Sequence, residues 1–278
     1  MKLCPHCGQP LSEEILTCPA CGSEVRQGRS YIDDYRIVDV LHEGYSSILC
    51  RAIKDGSDKS VMIRIFTLQS GVNEKIAGRL MHELEELKKL PEAYFVRHFE
   101  VRKSSDGLWY RVSEWIDAEN WGTLIASGRL DNYHVIFGLF ARIASILEGL
   151  HRIGHFIPHL ILDDILVFRG EGGNLDVKID YKLSRFLDPN LDRPGPMLKK
   201  LLNRHPDMIH QRPIDFRSDI WSLGKIFVEL LTADYEISDF KVKIEELALP
   251  HEVEVLLKVM LADDPNLRPQ SMAAVAET

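Results

Sequence analysis

The sequence lacks any run of apolar residues approaching the ~20 needed to cross a bilayer. It also lacks an apolar stretch behind its first residues, Met-Lys-Leu-Cys-Pro-His-Cys, so the N-terminus does not read as a secretory signal. These absences predict a cytoplasmic chain with no membrane segment. Positive charge is in deficit: 34 Lys and Arg stand against 42 Asp and Glu, a formal net charge of −8. That argues against a nucleic-acid-binding surface over the whole molecule, though not against a local basic patch. Cysteine is scarce, five in 278 residues, and four of the five fall in the first 21. In a reducing compartment such cysteines are metal ligands or thiols rather than disulfides. The remaining composition, 45% hydrophobic and 27% charged, is that of a globular protein. Its length allows two lobes and something small.

The four early cysteines form two Cys-x-x-Cys knuckles, Cys4-Pro5-His6-Cys7 and Cys18-Pro19-Ala20-Cys21, each followed by glycine. Each knuckle places two sulfurs on one tight turn. Two such turns facing each other give a tetrahedral site of four thiolates, which suits zinc. The pattern resembles a zinc ribbon with a ten-residue loop. With Cys4, Cys7, Cys18 and Cys21 all ligating, no coordination position is left open, so the zinc is structural. His6 reads as a spacer. Cys50, in a strand-like run, reads as a small apolar filler.

Residues 1–24 are therefore read as the ribbon and residues 25–34 as a polar linker. Alternating apolar residues around a turn predict a hairpin over 35–53. Ser60 to Phe66 is a further strand, and 73–90 has apolar residues at helical spacing. Two strands are predicted over 94–116, joined by Ser104-Ser105-Asp106-Gly107. A long helix with a wide apolar stripe follows over 132–151.

This order of segments resembles the protein kinases, and degraded motifs carry the resemblance. Gly44 is the one glycine left of a G-x-G-x-x-G loop, with His42 and Ser47 at the other two positions. Val61-Met62-Ile63-Arg64 is similar to V-A-I-K, with Arg64 for the phosphate-contacting lysine and Met62 for the alanine of the adenine pocket. Glu83 falls where the helix glutamate falls, which predicts an Arg64–Glu83 ion pair. Glu114-Trp115-Ile116 matches the hinge between lobes. On the HRD-L-K-x-x-N loop, His159 stands for the catalytic aspartate, Ile161 for the lysine and Asp164 for the asparagine. Asp180-Tyr181-Lys182 replaces D-F-G, and Lys182 is expected to pair with Asp180, Asp164 or both. A short helix is expected over 197–203. His205-Pro206-Asp207 replaces A-P-E, with Arg268 as the expected partner of Asp207. Asp219-Ile220-Trp221-Ser222-Leu223-Gly224 matches D-x-W-S-x-G closely.

The resemblance implies an α+β, bilobal fold: a small antiparallel-sheet lobe with the hinge over 35–116 and a mainly helical lobe over 117–278. Architectural motifs survive better than chemical ones. Arg64, Glu83 and Asp180 mark a vestigial nucleotide site. The expectation is a catalytically inactive module, a pseudokinase, that binds a protein partner in signalling, with ATP and Mg2+ not expected as ligands and nucleic acid not expected as a partner. The alternative is an atypical phosphoryl or nucleotidyl transferase that uses Asp164 and Asp180 for metal. A third reading makes the ribbon, flanked by Arg26 and Arg29, a nucleic-acid adaptor.

Overall fold

In this computed structural model the described residues are 2–277, apart from 5, 8, 13–14, 25–30, 44–46, 68–71, 120, 127–132, 158–159, 171–172, 181–204, 233, 235–236 and 238. The chain divides into two units, with a boundary between residues 116 and 117.

The first unit opens with the ribbon. Strands β1 (Lys2–Leu3) and β2 (Pro10–Leu11) pair antiparallel and bracket the first knuckle. Thr17 and Glu24 bridge across the second. Its core is small: Cys4, Cys7, Cys18 and Leu11, with Ile15 and Cys21 against them. So little apolar area cannot offset the chain entropy of a segment this short, which is why metal must supply the difference.

A six-stranded antiparallel sheet follows, in the order β3-β4-β5-β6-β8-β7. Its strands are β3 (Tyr31–Ile32), β4 (Tyr35–Glu43), β5 (Ser47–Lys54), β6 (Ser60–Phe66), β7 (His98–Lys103) and β8 (Trp109–Glu114). Period-2 alternation divides its side chains between two faces. One face buries Tyr35, Ile48, Cys50, Ala52, Ile63, Ile65, Tyr110 and Val112. The other sets Phe66, Val101 and Trp109 against Ile76, Ala77 and Leu84 of helix α1 (Glu74–Leu87). Fully burying each large apolar side chain contributes roughly 1.5–3 kcal/mol, so both faces hold the sheet. Residues 31–34, read as linker from sequence, are built into this sheet. Ile32 is buried. Asp33, at φ 48°, accepts from Tyr110 Oη at 2.8 Å and from the Ser105 N–H at 3.0 Å. A polar, glycine-flanked stretch conceals a two-residue strand whose signal is one isoleucine.

The second unit is mainly helical. Strands β9 (Ala118–Glu119), β10 (Ile165–Arg169) and β11 (Leu175–Ile179) form a small sheet in the order β11-β10-β9. Its helices are α2 (Trp121–Ala126), α3 (Tyr133–Arg152), α4 (Pro206–Ile209), α5 (Phe216–Thr232), α6 (Phe240–Glu246), α7 (His251–Met260) and α8 (Met272–Glu277). Helix α3 is the centre. Ile136, Leu139, Ile143, Ala144, Leu147 and Leu150 are buried, and the helix packs on β11, α5 and α8. By length and composition alone, His134–Arg152 would pass as a bilayer span, which the sequence reading did not anticipate. Its buried stripe serves the interior of this unit. The predicted helix over 197–203 lies outside the described residues.

Candidate functional site

The four ribbon sulfurs all lie within 4.8 Å of one another. Cys4 Sγ is 3.8 Å from Cys21 Sγ, and Cys7 Sγ is 3.6 Å from Cys18 Sγ. A tetrahedron with Zn–S bonds of about 2.3 Å has S–S edges of about 3.8 Å, so the donor set fits zinc. Backbone bonds fix the knuckles: Cys4 N donates to Gln9 O and Cys18 N to Ser23 O, both at 2.8 Å. Gly22, at φ 71°, turns its N–H back to Cys18 O at 2.8 Å, a conformation that favours glycine. Burial pushes the Cys7 thiol up. Ser23 Oγ, 3.3 Å from Cys21 Sγ, favours the thiolate and brings Cys21 down to about 6. His6 is exposed beside the four sulfurs, a spacer position.

A second constellation lies at the end of the β10–β11 ribbon. Register pairs Ile165 with Ile179, which sets Asp164, just before β10, opposite Asp180, just after β11. The Asp180 N–H donates to Asp164 O at 2.7 Å. Asp164 is 4% exposed and Asp180 1%. Asp164 Oδ2 accepts from the Ile161 N–H at 3.1 Å, which secures the 3-10 turn Leu162–Asp164. Ile161 brings no ammonium to this turn. Two buried carboxylates on adjacent strand ends repel, and a cation relieves that. Carboxylate oxygens are the ligands Mg2+ prefers, so the chemistry of this donor pair fits it.

Arg64 lies in the first unit on β6, half-buried, with Nη1 donating to Ser47 Oγ at 3.0 Å. Glu83 falls within α1, but its side chain is outside what is described, so the expected Arg64–Glu83 pair is not placed. His159 and Lys182 are likewise outside the described residues, as is Gly44.

Asp219 anchors the backbone at Ile157. The Ile157 N–H donates to both of its oxygens, at 3.1 and 2.9 Å, and His151 Nε2 sits 2.8 Å from Oδ2. Full burial pushes the Asp219 carboxyl up to about 6, against the pull of those hydrogen bonds. Sequence reading placed Asp219 in a helix motif and gave it no partner. The available signal was an acid on the buried face of an apolar helix, where only a polar partner makes burial tolerable. The expected Asp207–Arg268 pair is present, bidentate at 2.8 and 2.8 Å and fully buried. Ser218 Oγ adds a third bond to Asp207 at 2.8 Å. Sequence places Ser47 at a glycine-loop position but shows neither its bond from Arg64 nor that of Ser218 to Asp207, because serine leaves no periodic trace.

Residues 3–25 match the zinc-ribbon domain. The chain is 22% identical over 253 residues to serine/threonine-protein kinase Nek7 of Arabidopsis thaliana, covering 86% of this chain and 43% of that one. Human serine/threonine-protein kinase ULK3 is 23% identical, covering 85% of this chain and 50% of the relative. The chain thus spans about half, or less, of the length of these curated relatives. Among solved structures, the Mycobacterium tuberculosis PknI kinase domain aligns at TM-score 0.64 with 13% identity, covering 89% of this chain and 95% of that one. Rad53 1-466 in complex with AMP-PNP aligns at 0.66 with 19% identity, covering 87% and 64%.

These relatives correct one expectation. The sequence reading gave a non-enzymatic module for which ATP and Mg2+ are not expected, yet the proteins matched over most of the chain are named serine/threonine kinases, which points to an enzyme. Phosphoryl transfer rests on positioning and charge stabilisation, and two positions of the kinase pattern that face metal still carry carboxylates: Asp180, and Asp164 where the pattern has asparagine. The β10–β11 register sets them opposite each other, and the Asp207–Arg268 pair is in place elsewhere in the same unit. The chain is an N-terminal zinc ribbon followed by a protein kinase-like fold.

Proposed function

We propose that this chain is an atypical ATP-dependent phosphoryl transferase acting on a protein hydroxyl, in a reducing cytoplasm that keeps the ribbon thiolates available to zinc. The observation that carries the reading is the buried Asp164–Asp180 pair at the joined ends of β10 and β11. The relatives' names supply the acceptor class, serine or threonine.

Bound between these carboxylates, Mg2+ would neutralise phosphate oxygens and orient the transferred group. Asp164 and Asp180 are the residues that would hold it, fixed by their mutual backbone bond and by the Ile161 N–H. Arg64 keeps the positive charge of the lysine it replaces, in a fork that suits phosphate oxygens. No carboxylate stands at position 159 to orient the acceptor. Loss of a positioned base typically costs ~10²–10⁴-fold, so turnover should be slow by about that factor.

The test is incubation of the zinc-loaded chain with Mg-ATP labelled at the γ-phosphate and generic protein acceptors. Slow label transfer that disappears in Asp180→Asn supports the reading. Background labelling together with no Mg2+-dependent ATP binding would sink it.

A further inference from the structure

The four ribbon sulfurs do not share one environment. Cys4, Cys7 and Cys18 are at most 1% exposed, whereas Cys21 is only partly buried. Short sulfur contacts run across the two knuckles: Cys21 Sγ lies 3.8 Å from Cys4 Sγ, and Cys7 Sγ 3.6 Å from Cys18 Sγ. One of these pairs, Cys4–Cys21, has an end open to water, and the other is sealed. Ser23 Oγ, 3.3 Å from Cys21 Sγ, widens the difference. A thiolate that accepts a hydroxyl hydrogen has less charge to give a metal, so Cys21 is the ligand most easily drawn away.

Zinc has no redox chemistry of its own, so a two-electron oxidation at this site falls on sulfur. The cysteine that oxidises first in such a set is an accessible thiolate with a second sulfur beside it. Cys21 meets both conditions: it is the partly exposed member, and the Cys4 sulfur stands at 3.8 Å. Hydrogen peroxide, with two heavy atoms, reaches a partly covered sulfur that a bulkier reagent does not.

We propose that Cys21 is an oxidation site for hydrogen peroxide and that Cys4 resolves it, so that the ribbon exchanges its metal for a Cys4–Cys21 disulfide. The Cys21 thiolate attacks the O–O bond, becomes the sulfenic acid and releases hydroxide. The Cys4 thiolate then attacks the Cys21 sulfur: the S–S bond forms, the S–O bond breaks and a second hydroxide leaves. Two thiolates supply two electrons, and both hydroxides take protons from solvent, so one peroxide ends as two waters. The metal keeps two of its four ligands and departs, and with it goes the free energy that holds the ribbon folded. This inference is independent of the transferase reading.

The test is a hydrogen peroxide titration of the full-length, zinc-loaded protein beside a chromogenic chelator too weak to strip the untreated chain. Zinc release should track the loss of two thiols per chain, and dithiothreitol with added zinc should reverse both. Cleavage at Glu13 and Glu14 separates the two knuckles. After peroxide the two fragments should stay joined, with the link placed at Cys4–Cys21 by fragmentation. Cys4→His keeps a nitrogen ligand for zinc but removes the resolving sulfur. In that variant dimedone should label Cys21 as the sulfenic acid. A first link at Cys18–Cys21 or Cys7–Cys18, or dimedone on Cys7 or Cys18, would overturn the assignment. So would retention of zinc at a peroxide dose that fully oxidises free glutathione. The disulfide map of the parent decides by itself should Cys4→His hold no zinc.

Discussion

At the scale of the residue, the buried polar groups of the second unit set its sharpest sensitivities. Arg268 is held by Asp207, by Ala262 O at 2.9 Å and by Arg217 O at 3.1 Å. Arg268→Ala leaves a buried carboxylate without its cation and should cost about 3–5 kcal/mol, measured by urea unfolding. A loss under 1 kcal/mol would show that the pair is dispensable. His205 packs its ring on Trp221, 4.5 Å between centroids. Burial lowers its pKa below the ordinary 6.5, against the Ser218 carbonyl and Asp207, which raise it. As pH falls, the unfolded chain therefore takes up this proton first. Stability from the neutral ring is complete above about pH 6.5 and drains away below it, down to the depressed folded value. Between pH 7.5 and 5 the melting temperature of the parent should fall more steeply than that of His205→Gln; parallel curves would refute this. The Asp207–Arg268 pairing was legible in sequence because its two motifs are distinctive. The support from Ser218 and the position of His205 against Trp221 were not, because such contacts depend on how distant segments pack.

At the scale of the element, periodicity carried most of the information. The stripe of Ile136, Leu139, Ile143, Leu147 and Leu150 foretold α3, and alternation foretold the β4–β5 hairpin. What periodicity could not show is distance between elements. Gly224 of α5 lies so close to α7 that an added Cβ would stand 3.0 Å from Met260 Cβ and 3.3 Å from Leu261 Cγ. Gly224→Ala should destabilise by about 1–2 kcal/mol, overpacking outweighing the ~1 kcal/mol of helix propensity that alanine contributes. Gly138→Ala and Gly149→Ala, exposed on α3 with nothing within 4 Å, should instead stabilise by up to about 1 kcal/mol. Thermal melts of the three variants test this contrast. The same sign at all three positions would refute the close-packing argument. The carboxylate site was legible only through the resemblance: motif position names Asp164 and Asp180 and implies that they lie near one another, while the strand register that sets them opposite is encoded by no local pattern.

At the scale of the whole molecule, the ribbon has its own small core, separate from the two apolar clusters of the six-stranded sheet. Its stability is tied to metal, on the order of 10 kcal/mol for a structural zinc. Chelation should release one zinc per chain and open residues 2–24 to protease while the helical signal of the second unit persists. Simultaneous loss of both would show that the ribbon is integral to the larger fold. The five thiols then divide into two classes by what exposes them. Cys4, Cys7, Cys18 and Cys21 depend on a metal ion for their protection, whereas Cys50 is sealed under the sheet with no solvent exposure. An alkylating mass tag should therefore count in steps: none on the zinc form, four after chelation, and the fifth only when the sheet opens. The chain carries its own record of which part has come undone.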